Sequence, residues 1–213
     1  MTCKGKKRVC VFYMYIDERS AADDPRARTK HISEMGGRLL EYAVSRLYRI
    51  GISELSRSKG EHGKPYFHTH PEIHFNISHS GDLVMCAVSD FEIGIDIQDK
   101  TRMNTDRIAK KVMSPDEYEK YLASSERMEF FFRVWVMKEA YVKWTGDGIT
   151  RELRCLPMDG WHQFLYVDHR FAACLWAKIP LEVVATEIRE SDLKVCSTAV
   201  KRRSFDRVLF TGQ

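Results

Sequence analysis

Apolar and polar positions alternate along this chain in blocks that mark out strands and helices. Val9 to Ile16 is an almost unbroken apolar run of strand length. A charged link, Asp17 to Arg28, follows. From Thr29 to Ile50 the residues Leu39, Leu40, Ala43, Leu47 and Ile50 recur at helical spacing, and Gly51 is placed to end that helix. Ser56 to His70 holds Gly60, Gly63 and Pro65 and reads as turns. Ile73 to Ser78 then alternates, Ser80-Gly81-Asp82 turns, Leu83 to Val88 returns, and Asp90-Phe91-Glu92 leads into Ile93 to Ile97. Strands so closely spaced predict an antiparallel meander.

The second half is helical first. Thr105 to Met113 has helical character. Ser114-Pro115-Asp116-Glu117 has the form of a capping box, with Ser at the cap, Pro in the first helical position and Glu in the third. The strongest helix runs from about Met128 to Trp144 and stops at Gly146-Asp147-Gly148. Short strands follow, including Phe171 to Ala177. That strand and Leu83 to Val88 are both apolar with a central cysteine, which hints at a duplicated α+β unit.

Composition narrows the picture. The chain has 213 residues, 44% of them hydrophobic, enough for one compact domain or two small lobes. No apolar run is long enough to span a membrane, and the basic start has no h-region after it, so a cytoplasmic protein is expected. The six cysteines show no C-x-x-C spacing, which argues against a zinc knuckle or a disulfide framework. A formal charge of +4 tolerates a phosphate-rich ligand or an acidic protein partner but is too small to argue for nucleic acid. The histidines at 62, 68, 70, 74 and 79 fit no helical or finger-like metal spacing.

Candidate chemistry lies in a few places. Asp96 is a carboxylate on a strand whose other face is isoleucine; by itself it reads as a strand-end acid capping a loop, which is commoner than a metal ligand. Glu139 and Lys143 stand four apart on one face of the strongest helix, which is otherwise largely apolar. Asp96 and Glu139 together would offer two hard oxygens, a set that suits Mg²⁺. Lys64 sits in a turn before Pro65, either solvated or facing phosphate. Ser78 and His79 end a strand without the G-x-S-x-G elbow of a hydrolase.

In order, G-K-P, F-N-I-S-H-S, G-I-D-I-Q and W-V-M-K-E-A-Y-V-K-W-T-G-D-G resemble the motifs of the Sfp-type 4′-phosphopantetheinyl transferases over Gly63 to Gly148. The resemblance implies an α+β fold, a pseudo-twofold pair of similar lobes with a cleft between them, here 1–90 and 91–213. It implies transfer of the phosphopantetheine arm of coenzyme A to a carrier-protein serine, with release of 3′,5′-ADP. Asp96 and Glu139 would then be Mg²⁺ ligands, with Gln98, where many members have Glu, in a weaker or more distant role. Lys64 and Pro65 would belong to the nucleotide pocket, Ser78 and His79 would contact coenzyme A phosphates, and Lys138 and Lys143 would clamp the pyrophosphate. Glu139 would be the general base. Arg26, Arg28, Lys30 and Arg38 are candidates for the 3′-phosphate. Arg102, Arg107, Lys110 and Lys111 would meet an acidic acyl or peptidyl carrier protein, or else form a solvated face. A monomer is expected. Two rival readings remain open: a Mg²⁺-dependent hydrolase of coenzyme A-like pyrophosphates, and a non-catalytic module that binds coenzyme A or a carrier.

Overall fold

The computed structural model describes residues 7–16, 24–148 and 152–193. The first unit is β1 (Arg8–Tyr15), α1 (Pro25–Tyr48), a small hairpin of β2 (Arg57–Lys59) and β3 (Pro65–Phe67), then β4 (His74–Ser80) and β5 (Leu83–Ser89). The second is β6 (Ile93–Asp99), α2 (Thr105–Val112), α3 (Pro115–Ala123), α4 (Arg127–Thr145), β7 (Trp161–Leu165) and β8 (Phe171–Ala177). The described part ends with β9 (Glu182–Glu187) and α5 (Glu190–Leu193).

The two units share one topology. The first sheet runs β4-β5-β1-β9 and the second β7-β8-β6. In each unit a strand, a helix and an antiparallel hairpin follow in order, and the second strand of the hairpin lies centrally against the first strand of the unit. Cys86 and Cys174 occupy matching central strands, so the repeat in the sequence marks a real duplication of the fold.

Four layers result. One face of the first sheet, with Phe12, Met14, Val84 and Cys86, packs on α1 through Leu39, Leu40, Ala43 and Leu47. The other face, with Val9, Val11, Leu83 and Met85, meets Ile93, Ile95, Ile97 and Leu175 of the second sheet. The far face of the second sheet, with Cys174 and Trp176, packs on α4 through Phe131, Phe132 and Ala140. The central strands β5 and β8 are buried throughout, which explains their continuous apolar runs.

The topology corrects two expectations. β6 does not extend a meander with β5. It leaves for the second sheet and pairs with β8. And β9 does not stay with the second lobe. It runs parallel to β1, with Val183 opposite Val9, and completes the first sheet, so the division 91–213 fails at this strand. The local expectations fare better. The Ser114–Glu117 capping box has both its bonds, and Gly146 ends α4 in the left-handed conformation at φ 75°, whereas α1 starts at Pro25 under an Asp24 cap, inside the expected link, and ends with Arg49 in the left-handed conformation, before Gly51. Among the described residues, no helix is long and apolar enough to cross a membrane.

The seam between the units is polar on one line. β6 is an edge strand of its sheet, and its outward N–H groups need acceptors. β4 supplies them from side chains. Asn76 Oδ1 accepts from Ile95 N at 2.9 Å, Ser78 Oγ from Ile97 N at 3.2 Å and Ser80 Oγ from Asp99 N at 2.9 Å. The three residues share one face of β4 by strand alternation. At the end of the seam, Arg170 reaches Asp82 at 2.8 Å and Asp99 at 2.8 Å.

Gly94 brings α4 onto β6. A β-carbon there would collide with the Ala140 carbonyl and the Trp144 amide, and would sit 2.9 Å from Trp144 Cα. All these atoms are backbone and cannot swing aside. Gly94→Ala is therefore expected to cost about 3 kcal/mol or more, read as a fall in the urea midpoint at unchanged slope. A loss under about 0.5 kcal/mol, the range of neutral surface changes, would refute the close approach. Asp99 gives a second expectation. Burial would raise its pKa, but hydrogen bonds from Arg170 and Thr101 outweigh it and hold the carboxyl at about 2. The pair's stabilisation is thus present above the ordinary value of 3.8 and lost as pH falls through about 2. Asp99→Asn should be less stable than the parent at pH 6, and the gap should close on acidification. A gap independent of pH would refute this.

Candidate functional site

Three elements converge at one point. β6 alternates, so its isoleucines enter the core between the sheets while Gly94, Asp96 and Gln98 face α4. Helix α4 is held there by the notch at Gly94. Glu139 and Lys143, one turn apart, look towards Asp96 from the helix. β4 contributes Ser78 from the seam.

The bonding is dense. Lys143 Nζ donates to Asp96 Oδ1 at 2.6 Å and to Ser78 Oγ at 2.8 Å. Ser78 Oγ donates to the same Oδ1 at 2.9 Å. Asp96 and Ser78 are 6% and 3% exposed, so these groups are nearly withdrawn from water. Glu139 is half-buried. Its pKa is pushed up, first by burial and then by the charge of Asp96, with Lys143 pulling it back. No hydrogen-bond donor reaches Glu139 among the described residues. Two carboxylates thus share one lysine, which leaves an excess negative charge. Gln98 stands on the same strand face, and its Nε2 reaches Asp99 O at 3.3 Å.

Asp96, Glu139 and Lys143 are therefore brought together as the spacing predicts. His79 lies beside them but on the opposite face of β4 from Ser78, the face that Ile77 turns to α1. It is exposed. Partial desolvation and then the Lys143 charge lower its pKa, against the pull of Asp96.

Other expected residues are elsewhere. Lys138 is not a pyrophosphate clamp. It is 2% exposed, and its Nζ donates to Val112 O at 2.9 Å and Glu117 Oε2 at 2.6 Å. One residue along a helix is a rotation of about 100°, so Lys138 faces α2 and α3 when Glu139 faces β6. Lys64 does not offer its ammonium to an open cleft either. Its Nζ donates to Trp144 O at 2.6 Å, and its stem covers Gly146. It caps the carbonyl end of α4, and burial lowers its pKa. Pro65 begins β3, opposite Lys59. Arg38 lies 3.9 Å from Glu190 of α5 and Lys30 3.9 Å from Glu34. Arg26 and Lys30 border an open depression of about 650 Å³ at the start of α1. Arg107, Lys110 and Lys111 are exposed on α2, whereas the side chain of Arg102 is outside the described part.

Asn76, Ser80 and Gly94 were not singled out as site residues, although each helps to place the site. Their signal was in the sequence as polar or absent side chains repeating every second position, N-x-S-x-S and G-x-D-x-Q, on strands otherwise apolar.

Among the described residues no group of three or more His, Cys, Asp or Glu side chains could enclose a metal. The two carboxylates still fit Mg²⁺, which keeps several waters and draws other ligands from a phosphate-bearing substrate. A dication there would offset the like-charge strain on Glu139.

Comparison with known proteins identifies the family. Residues 8–90 match the family model described as 4′-phosphopantetheinyl transferase, N-terminal, and residues 92–180 match that of the 4′-phosphopantetheinyl transferase superfamily. The chain is 38% identical over 140 residues to 4′-phosphopantetheinyl transferase Sfp of Bacillus subtilis (strain 168), covering 65% of this chain and 60% of that protein. It is 34% identical over 173 residues to 4′-phosphopantetheinyl transferase psf-1 of Bacillus pumilus, covering 76% of this chain and 72% of that one. With AcpT of Escherichia coli (strain K12) the identity is 40% over 115 residues, covering 52% and 57%. The matched region spans 60% and 56% of the length of two Bacillus subtilis relatives. With both units matched and psf-1 covered over most of its length, the chain belongs to the Sfp-type 4′-phosphopantetheinyl transferases.

Proposed function

We propose that this protein transfers the 4′-phosphopantetheine arm of coenzyme A to a serine of an apo carrier protein and releases 3′,5′-ADP. The observation that carries this reading is the meeting of Asp96, Glu139 and Lys143 across β6 and α4. The serine oxygen bonds to the β-phosphorus as the bond to the bridging oxygen breaks. The serine proton passes to the Glu139 carboxylate, directly or through a water. Lys143 has three N–H groups, of which two are taken by Asp96 and Ser78. The third is available for an oxygen of the leaving phosphate, where charge collects. Asp96 and Glu139 would hold Mg²⁺, which supplies further charge stabilisation to the phosphoryl oxygens when bound.

The exposed cations of α2, Arg107, Lys110 and Lys111, suit an acidic carrier. A cytoplasmic monomer is the form in which we expect the protein to work.

The test is to incubate the protein with coenzyme A, Mg²⁺ and apo carriers of fatty-acid, polyketide and nonribosomal peptide type, and to weigh the carriers. Each accepted carrier should gain one phosphopantetheine. Glu139→Ala should lower the rate by about 10²-fold or more, the range for loss of a general base. Asp96→Ala should do the same. No gain on any carrier would sink the reading, and free phosphopantetheine formed without a carrier would point to the hydrolase instead. Gln98→Glu adds a carboxylate on the face of Asp96 and should reduce the Mg²⁺ concentration needed for half-maximal rate. An unchanged requirement would remove Gln98 from the neighbourhood of the metal.

A further inference from the structure

Ser78 makes more bonds than a strand serine needs. A hydroxyl offers one donor and two acceptor positions. The Ile97 N–H and the Lys143 ammonium can only donate, so they fill the acceptor positions, at 3.2 Å and 2.8 Å. The hydroxyl proton is left for Asp96 Oδ1 at 2.9 Å. All three positions are then in use, and the residue is 3% exposed. A bond to a coenzyme A phosphate would require that proton, and Asp96 already holds it.

The cluster joins three elements. Ser78 belongs to β4 in the first sheet, Ile97 and Asp96 to β6 in the second, and Lys143 to α4. Both donors to Asp96 end on Oδ1. With Lys143 alone, on a long flexible stem, the carboxylate could rotate and carry the ammonium with it. Ser78 has a short side chain, fixed to the backbone of β6 by the Ile97 N–H. It removes that freedom.

We infer that Ser78 is a positioning residue, whose hydroxyl sets the rotation of the Asp96 carboxylate for a divalent cation and is not offered to coenzyme A. This rests on the Mg²⁺ reading given above. It replaces the expectation that the Ser78 hydroxyl touches a coenzyme A phosphate, and it makes the seam between the two sheets part of the metal site.

The test compares Ser78→Ala and Ser78→Thr with the parent, with thermal melts showing which are folded at the assay temperature. Coenzyme A binding is measured calorimetrically in EDTA. Mn²⁺ binding is measured by electron paramagnetic resonance at saturating coenzyme A, without a carrier. Ser78→Ala should bind coenzyme A in EDTA within about twofold of the parent and Mn²⁺ about tenfold more weakly, the lower range for loss of a group that orients a metal ligand. Ser78→Thr keeps the hydroxyl and should recover the Mn²⁺ affinity. Should Ser78→Ala not fold, Ser78→Cys, with its weak donor, takes its place with the same expected loss. Weaker coenzyme A binding in EDTA with unchanged Mn²⁺ affinity would overturn the inference, as would an equal loss of both or no change in either. A parent protein that binds coenzyme A but no Mn²⁺ would overturn this inference and the metal reading together. Mn²⁺ binding without transfer to any carrier would overturn only the proposed function.

Discussion

The backbone of α4 lies directly on the backbone of β6, and the rest of the site follows from that approach. A side chain at Gly94 would force the helix away from the strand. With hydrogen there, the carbonyl of Ala140 and the amide of Trp144 come against the sheet. That distance decides whether Lys143 reaches Asp96 at 2.6 Å or hangs in solvent. It also places Glu139 within range of the Asp96 charge, which is one source of its raised pKa. Lys64 holds the far end of the helix by the Trp144 carbonyl, and Lys138 holds the other flank through Glu117 and Val112. Two lysines named in the sequence for phosphate are thus employed in fixing the helix that bears the carboxylate.

Local features were legible because their causes are local. The Ser114–Glu117 box, the glycine stop after Thr145 and the strand alternation around Asp96 each depend on neighbours a few residues away. The i, i+4 relation of Glu139 and Lys143 placed them on one face without any structure. What could not be read was which distant segment each face would meet. α4 is apolar around most of its circumference, with Phe131, Val136, Lys138 and Ala140 all buried, so periodicity gave no preferred face. Lys138 therefore looked as accessible as Lys143. Its partner Glu117 was already accounted for by the capping box, and nothing in the sequence ties the two.

The strand pairings show the same limit. β6 follows β5 after a short link, and proximity in sequence argued for pairing. Its outward N–H groups instead find Asn76, Ser78 and Ser80, side chains that substitute for a neighbouring strand. Those residues were visible as a polar stripe on β4, but Asn76 and Ser80 had no stated use until β6 lay beside them. β9 had still less to announce it. Its pairing with β1 spans nearly the whole described chain, and parallel neighbours carry no turn signature.

The duplication has one further consequence. Aligning the units through their central cysteines, Cys86 opposite Phe12 and Cys174 opposite Asp96, puts Phe12 where the second unit has its buried acid. Phe12 points at α1 as Asp96 points at α4, but it meets Tyr42 edge-on in a greasy interior. The molecule therefore repeats the framework that carries the candidate site but not its buried acid. Its first half serves as a wall, which lends the second half a row of polar side chains along their common border, the Lys64 cap on α4 and the Asp82 partner of Arg170.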